Sequence, residues 1–303
     1  QDLRQASWRQ VGQLILRLRA EHYDTAFIPS HSSLLSYIAW QAGIHQRVGL
    51  NIQGRGFAHT IRVRPDATLR NRGAHGLLLA DVVGIDAAIT GKVNMEFYPT
   101  ARARSTVTQR LVEEVEWLGD SPLVILHPGG GQNPAQSQPL SRWPAARFVI
   151  LGNHLAAAYG ARIVLVGTAA DRALGDEIAG MMAAPAANYC GQLNLSELGA
   201  MCEVADLYVG CDTGSSHVAA ACGCQTLVIY GPTDPAQSLP YSTMGNVHAV
   251  WRDLSDIAAE RPFSWEIGVT AGKAIAAADG ILRRPADRER TLAILSGRRR
   301  EKN

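Results

Sequence analysis

Asp212, Thr213, Gly214 and His217 set a carboxylate, a hydroxyl, a bare backbone position and an imidazole close together in the string VGCDTGSSHVAAACG. An apolar run ends there and a stretch of small residues with helical character begins, so the polar groups fall on a strand-to-helix turn. The first N–H groups of a helix have no intrahelical partner and carry the positive end of its dipole, a combination that suits a phosphate. Asp212 or Thr213 can cap a helix starting near Ser215, which is worth ~0.5–2 kcal/mol. Gly214 permits a tight turn and leaves its N–H open. Ala219, Ala220, Ala221 and Gly223 let that helix press on its sheet. A carboxylate repels phosphate, so Thr213 and the amides are the expected anion contacts. Asp212 is expected to hold the loop or to accept from a sugar hydroxyl. Without a ligand the same residues have a plainer reading, Asp212 as a cap and His217 as filler on a helix face.

Three further strings end apolar runs in the same way: HPGGGQNP, GTAADR and YGPTDP. In open parallel sheets, ligands bind beyond the carboxyl ends of the strands, so four such ends would form one rim. HPGGGQNP is neither GxGxxG nor GxxxxGK[ST], and therefore signals neither a dinucleotide nor a P-loop. His127, inside the strand end and before a proline, reads as structural. YGPTDP reads equally as a turn or a ligand contact.

The elements that must position these groups are clearest in the second half. LVILHP, RIVLVG, DLYVGCD and TLVIYG are continuous apolar runs of the kind buried on both faces of a parallel sheet. AARFVILGNHLAAAYG, DRALGDEIAGMM, LSELGAMCEVA and SSHVAAACG lie between them with helical character, so the alternation predicts a doubly wound α/β fold. In the first third, helical spacing over VGQLILRLRAEHYD and SLLSYIAWQAG alternates with strand-like TAFIPS and HQRVGL, and NIQGRGFAHTIRVRP reads as a loop closing on a short strand. GLLLADVVGID reads as helix and NMEFYPTARARSTVTQ as a polar, proline-punctuated stretch. A domain boundary is expected between Pro99 and Asp120, giving domains over 1–110 and 121–275 and a basic helical tail over 276–303.

With 303 residues, 47% hydrophobic and 18% charged, the composition is globular, and a net charge of +2 argues against a nucleic-acid partner. The cations are almost all arginine, with lysine only at Lys92, Lys273 and Lys302. Cys190, Cys202, Cys211, Cys222 and Cys224 are odd in number and lack a CxxC pair, so they read as buried thiols of a reducing compartment. No apolar run approaches the ~20 residues of a membrane span, and no signal peptide opens the chain; a cytoplasmic protein is expected. The terminal GRRREKN reads as a solvated end with at most weak attraction to an anionic membrane.

Taken in order, HPGGG…LSRWPAARF, VGTAADR and CGQLNLSELGAMCEVADLYVGCDTGSSHVAAACGCQTLVIYGPTDP resemble the ADP-heptose:lipopolysaccharide heptosyltransferases, glycosyltransferase family nine. The likeness covers nearly all of residues 121–241; AEHYDTAFIPSHSSLLSYIAWQAGIHQRVGL is similar to the family's upstream region more weakly. The resemblance implies a GT-B architecture of two Rossmann-like domains, with a nucleotide-sugar donor in the C-terminal one and a lipopolysaccharide or glycolipid acceptor in the N-terminal one, incomplete here. It implies inverting transfer of heptose or a related sugar from an ADP-sugar, with no metal or other cofactor, at the cytoplasmic face of the inner membrane. Gly129, Gly130, Thr213 and Gly214 would lie by the diphosphate, Asp171 near the ribose, Asp212 near the transferred sugar and His217 behind the loop.

Two departures bear on catalysis. The family's K-R-W-P element reads Ser141-Arg142-Trp143-Pro144, so a cation for the diphosphate would come from Arg142 or elsewhere. The family's opening strand and Gly-Asp loop, roughly ILxIRLxxxGDxxxxTP, with its proposed general base, has no counterpart, and no catalytic residue is assigned beyond a supporting Asp212. His31 and Asp24 lie near a strand end of the first domain, with structural explanations. The alternative expectation is a nucleotide-sugar binding protein of the same fold that lacks catalysis; a dehydrogenase is disfavoured by the missing fingerprint.

Overall fold

A computed structural model describes residues 7–30, 32–54, 56–65, 69–86, 92–130, 142–252 and 263–282. It divides into two compact units, Gln1–Val93 and Asn94–Asn303.

In the first unit, helix α1 (Trp8–Ala20) opens on a capping box in which Ser7 and Gln10 exchange side-chain-to-backbone bonds. Strand β1 (Thr25–Ile28), helix α2 (Ser33–Gln41), strands β2 (Gln46–Leu50) and β3 (Ile61–Val63), and helix α3 (Arg72–Val82) follow. The sheet runs β1-β2-β3, parallel throughout. Ile28, Ala39, Ala42 and Ile44 form one small core, and Val48, Leu50, Val63 and Leu79 another.

The second unit begins with helix α4 (Ala101–Val115), capped by Thr100. Strand β4 (Leu123–His127), helix α5 (Ala145–Tyr159), strand β5 (Arg162–Leu165), a 3-10 turn (Ala169–Asp171) and helix α6 (Arg172–Met181) come next. They lead to strand β6 (Ala186–Asn188), helix α7 (Leu195–Val204), strand β7 (Leu207–Cys211) and helix α8 (Gly214–Ala221). Strand β8 (Thr226–Ile229), helix α9 (Pro235–Ser238), strand β9 (Val247–Val250) and helix α10 (Ala271–Leu282) complete it. The parallel sheet has the order β6-β5-β4-β7-β8-β9, so the four apolar runs are its four central strands.

Their side chains alternate between two cores, as a strand's period of two requires. Val124, Leu126, Leu207 and Val209 join Phe148, Leu151 and Leu155 of α5 and Ala274 and Ala278 of α10. Leu123, Ile125 and Tyr208 join Val107 and Leu111 of α4, Met201 of α7 and Ala219 of α8. With both faces covered, these strands read as unbroken apolar strings.

The division falls at Val93/Asn94, ahead of the expected boundary, because α4 buries Ala103, Val107 and Leu111 in the second unit's core. No tail separates at residue 276 either: α10 runs through that position and buries Ala278 and Ile281. Residues 283–303, including GRRREKN, lie outside the described residues. The five cysteines are free and buried, and burial raises the Cys190 and Cys211 thiols to about 12. No helix among the described residues is long and apolar enough to cross a membrane.

Candidate functional site

Three adjacent strand ends build the site. At the end of β4, which lies between β5 and β7, the chain runs through His127 and Pro128 to Gly129. A Cβ on Gly129 would stand 2.7 Å from the carboxyl carbon of Asp171, so the loops after β4 and β5 meet at this glycine. Asp171 is buried, at 2% exposure. Its Oδ2 accepts from the Thr168 N–H at 2.9 Å and the Thr168 hydroxyl at 2.6 Å, which locks the 3-10 turn after β5. Its Oδ1 accepts from Arg142 at 3.4 Å. The carboxylate therefore fastens the β5 loop.

Gly129→Ala must displace that buried carboxylate or shift the loop, an overpacking cost of about 1–3 kcal/mol. The expected result is a lower urea midpoint with an unchanged m-value; an unmoved midpoint would contradict the packing.

Arg142 is half exposed beside this turn and pairs only weakly with Asp171. Its neighbour holds it in place. Trp143 is buried, donates its backbone N–H to Cys211 Sγ at 3.4 Å and its indole N–H to Val269 O at 2.8 Å. The segment carrying Arg142 is thus tied to the end of β7. Ser141 and His31 lie outside the described residues; Asp24 precedes β1 in the other unit.

At the end of β7, Thr213 takes the N-cap position of α8 without a side-chain cap bond. Thr213 is thus the N-cap residue, as expected of Asp212 or Thr213, but its hydroxyl makes no capping bond and meets Ser215 Oγ at 2.8 Å instead. Ser215 Oγ also receives the Tyr208 hydroxyl at 2.8 Å and meets His127 Nδ1 at 3.3 Å. Ser216 Oγ donates to Thr213 O at 2.6 Å and closes the turn. Beneath the helix start runs a chain of polar groups, His127, Tyr208, Ser215 and Thr213, and the Thr213 side chain leaves the opening amides uncapped. Among the described residues, a Cβ on Gly214 meets nothing within 4 Å.

Asp212 turns the other way. Its Oδ2 accepts from Ser238 at 2.7 Å, on the short helix that YGPTDP starts and Asp234 caps. The fourth strand end therefore serves to hold Asp212. His217, half-buried one turn along α8, is lowered by burial, with Asp212 pulling the other way. Neither Ser215 nor Ser238 was singled out in the sequence. Ser215 stands beside Gly214 in the motif, but its partner His127 is 88 residues away.

Burial lowers His127 to about 4, with Asp171 opposing the shift and Arg142 adding to it. The imidazole is neutral near pH 7, so it orders the turn and adds no charge to it. An unfolded chain takes up this proton near 6.5, the folded one near 4, so the contribution to stability is full above pH 6.5 and lost as pH falls toward 4. The whole effect is at most about 3 kcal/mol. Urea midpoints at pH 7 and 4.5 are expected to differ less in His127→Gln than in the parent; equal differences would contradict the buried neutral histidine.

The second unit is a parallel α/β unit whose polar groups gather at the carboxyl ends of its strands, the class of fold in which ligands bind at those ends. The family model for glycosyltransferase family 9 (heptosyltransferase) matches residues 11–258, and the chain belongs to that family. Lipopolysaccharide heptosyltransferase 2 of Escherichia coli K12 is 24% identical over 235 residues, covering 76% of this chain and 66% of that protein. Lipooligosaccharide heptosyltransferase 2 of Haemophilus influenzae is 28% identical over 145 residues, covering 46% of this chain and 40% of that protein. The chain thus spans about two-fifths to two-thirds of the length of these relatives. Among solved structures, E. coli ADP-heptose lps heptosyltransferase II superposes with a TM-score of 0.68 at 20% identity, over 90% of this chain and 81% of that one. The two parallel α/β units are of the GT-B kind, as the resemblance implied.

Proposed function

We propose that the chain is an inverting glycosyltransferase, moving heptose or a related sugar from an ADP-sugar to a lipopolysaccharide core or similar glycan. The observation that carries this reading is the start of α8, where Thr213 makes no side-chain cap bond and a Cβ on Gly214 meets no described atom within 4 Å, one strand away from the Gly129 turn and its Arg142. In such a transfer an acceptor hydroxyl oxygen bonds to the anomeric carbon while the bond to the diphosphate breaks on the opposite side. The acceptor proton passes to a base, and the leaving ADP gains negative charge. The α8 amides, the Thr213 hydroxyl and Arg142 meet that charge, which makes them worth more in the transition state than in the ground state. Neutralisation by these groups supports a reaction without a metal. Asp212, fixed by Ser238, is the group for a hydroxyl of the transferred sugar. No residue of this chain is assigned as the base. Work at the cytoplasmic face of the inner membrane belongs to the same proposal.

Two measurements test it together: calorimetry with ADP, and transfer of labelled heptose from ADP-heptose to a lipopolysaccharide core. ADP binding with transfer is expected. ADP binding without transfer from any nucleotide sugar would favour the non-catalytic alternative, and no ADP binding would overturn both.

A further inference from the structure

The first unit carries a pocket that the donor reading does not use. It is an open hollow of about 330 Å³ lined by Trp40, Arg47, Phe57, Ala58, His59 and Arg62. Ligands of parallel sheets gather at the carboxyl ends of strands. This pocket sits at the other end, where α2 runs into β2 and the 51–60 connection enters β3.

Its arginines are held by the backbone. Arg47 donates through Nε to Ala58 O at 2.6 Å and through Nη1 to the carbonyls of Ile44 and His45. Arg62 donates through Nε to His59 O at 3.3 Å and through Nη2 to Phe57 O at 3.1 Å. Nη2 of Arg47 and Nη1 of Arg62 keep N–H groups outside these bonds, and among the described residues neither arginine pairs with a carboxylate. Two guanidinium groups fixed by backbone carbonyls and, among the described residues, without a carboxylate partner suit a phosphate or carboxylate, which they can grip with several N–H groups at once.

The pocket's other wall is aromatic. Trp40 is 49% exposed and Phe57 51%, and their rings stand 6.5 Å apart at 83°. Two exposed rings meeting edge to face form a corner for the C–H face of a sugar ring. Below them His59 is buried against Gly49, where a Cβ would come within 2.3 Å of the imidazole. His59 Nε2 meets Ser36 Oγ at 2.8 Å. The volume is at the small end of ligand sites, about 300–1,000 Å³, and fits one monosaccharide unit.

We propose that this pocket binds a single sugar or polyol ring carrying a phosphate, gripped by Arg47 and Arg62 and stacked in the Trp40–Phe57 corner, at a site separate from the donor's. Such a ligand can be a free sugar phosphate or the headgroup of a lipid.

The test uses the full chain labelled with nitrogen-15, with the Trp40 indole N–H signal assigned by its loss in Trp40→Phe. D-glucose 6-phosphate is expected to move that signal saturably. D-glucose should leave it in place, and inorganic phosphate should bind at least ~10-fold more weakly, since it lacks the ring. Arg62→Gln is expected to weaken D-glucose 6-phosphate binding ~10-fold or more, and Phe57→Leu serves as a second variant should Arg62→Gln disturb the other indole signals. Absence of a shift, an equal shift with D-glucose, or full affinity in a folded variant overturns the proposal. Flotation with phosphatidylinositol vesicles separates the sources. Retention reversed by D-glucose 6-phosphate assigns a lipid headgroup; no retention alongside binding of the free compound assigns a soluble one. Retention that the free compound does not reverse overturns the pocket as the site. ADP affinity, measured on the same samples, is expected to be unchanged in both variants, so the outcome is independent of the donor reading.

Discussion

Gly214→Val is expected to reduce ADP affinity at least ~100-fold, about 3 kcal/mol of binding energy, while the protein stays folded. Both halves follow from the same geometry. Among the described residues a Cβ at this position meets no atom within 4 Å, so the first turn of α8 accepts the new side chain. That side chain takes the space in front of the turn, which a diphosphate must enter to reach the amides. The isopropyl group covers them and adds apolar surface where an anion needs donors. Gly214→Ala, with one added carbon, should lose less. Calorimetry with ADP, alongside circular dichroism, checks both. Unaltered affinity in a folded Gly214→Val protein would remove α8 from the phosphate site.

Asp212→Ala is expected to lower heptose transfer ~100-fold or more while leaving ADP affinity nearly unchanged. The carboxylate is turned toward Ser238, away from the uncapped helix start, and as an anion it offers nothing to a diphosphate. What it can do is accept from a sugar hydroxyl in a fixed orientation, and such contacts are realised most fully when the sugar distorts toward the transition state. Ser238→Ala frees the carboxylate without deleting it and should show a smaller loss of the same kind. Rates from saturating donor, set against ADP affinity, separate binding from chemistry. A large loss of ADP affinity in Asp212→Ala, or undiminished transfer, would contradict this assignment.

The sheet of the second unit was legible because burial on both faces writes itself into consecutive residues. Leu123–His127 and Leu207–Cys211 have no solvent side, so nothing polar interrupts them. The edge strands Ala186–Asn188 and Val247–Val250 are short and half-buried, and left no such run. Helix α4 escaped notice for a different reason. Ala103, Val107 and Leu111 recur every four residues in an otherwise polar stretch beside Pro99, and their partners on α7 lie about a hundred residues on.

The site was legible in its residue types and less so in their orientations. That Asp212, Thr213 and Gly214 share a strand end follows from the alternation of strands and helices. Which way each side chain turns does not. Thr213 and Asp171 are both polar residues at helix starts, yet one meets Ser215 and the other folds back on Thr168. Those choices depend on His127, Tyr208 and Ser238, which only the assembled sheet brings near. In the first unit, Arg47 and Arg62 stand in the ordinary strings QRVGL and IRV, and only pairing of β2 with β3 sets them around one pocket.

Where ADP sits on the protein tests the central claim most directly. A structure of the ADP complex is expected to show diphosphate oxygens within hydrogen-bond distance of the α8 amides and the Thr213 hydroxyl, with Arg142 alongside. A nucleotide held at any other strand end, with the start of α8 left to solvent, would contradict it.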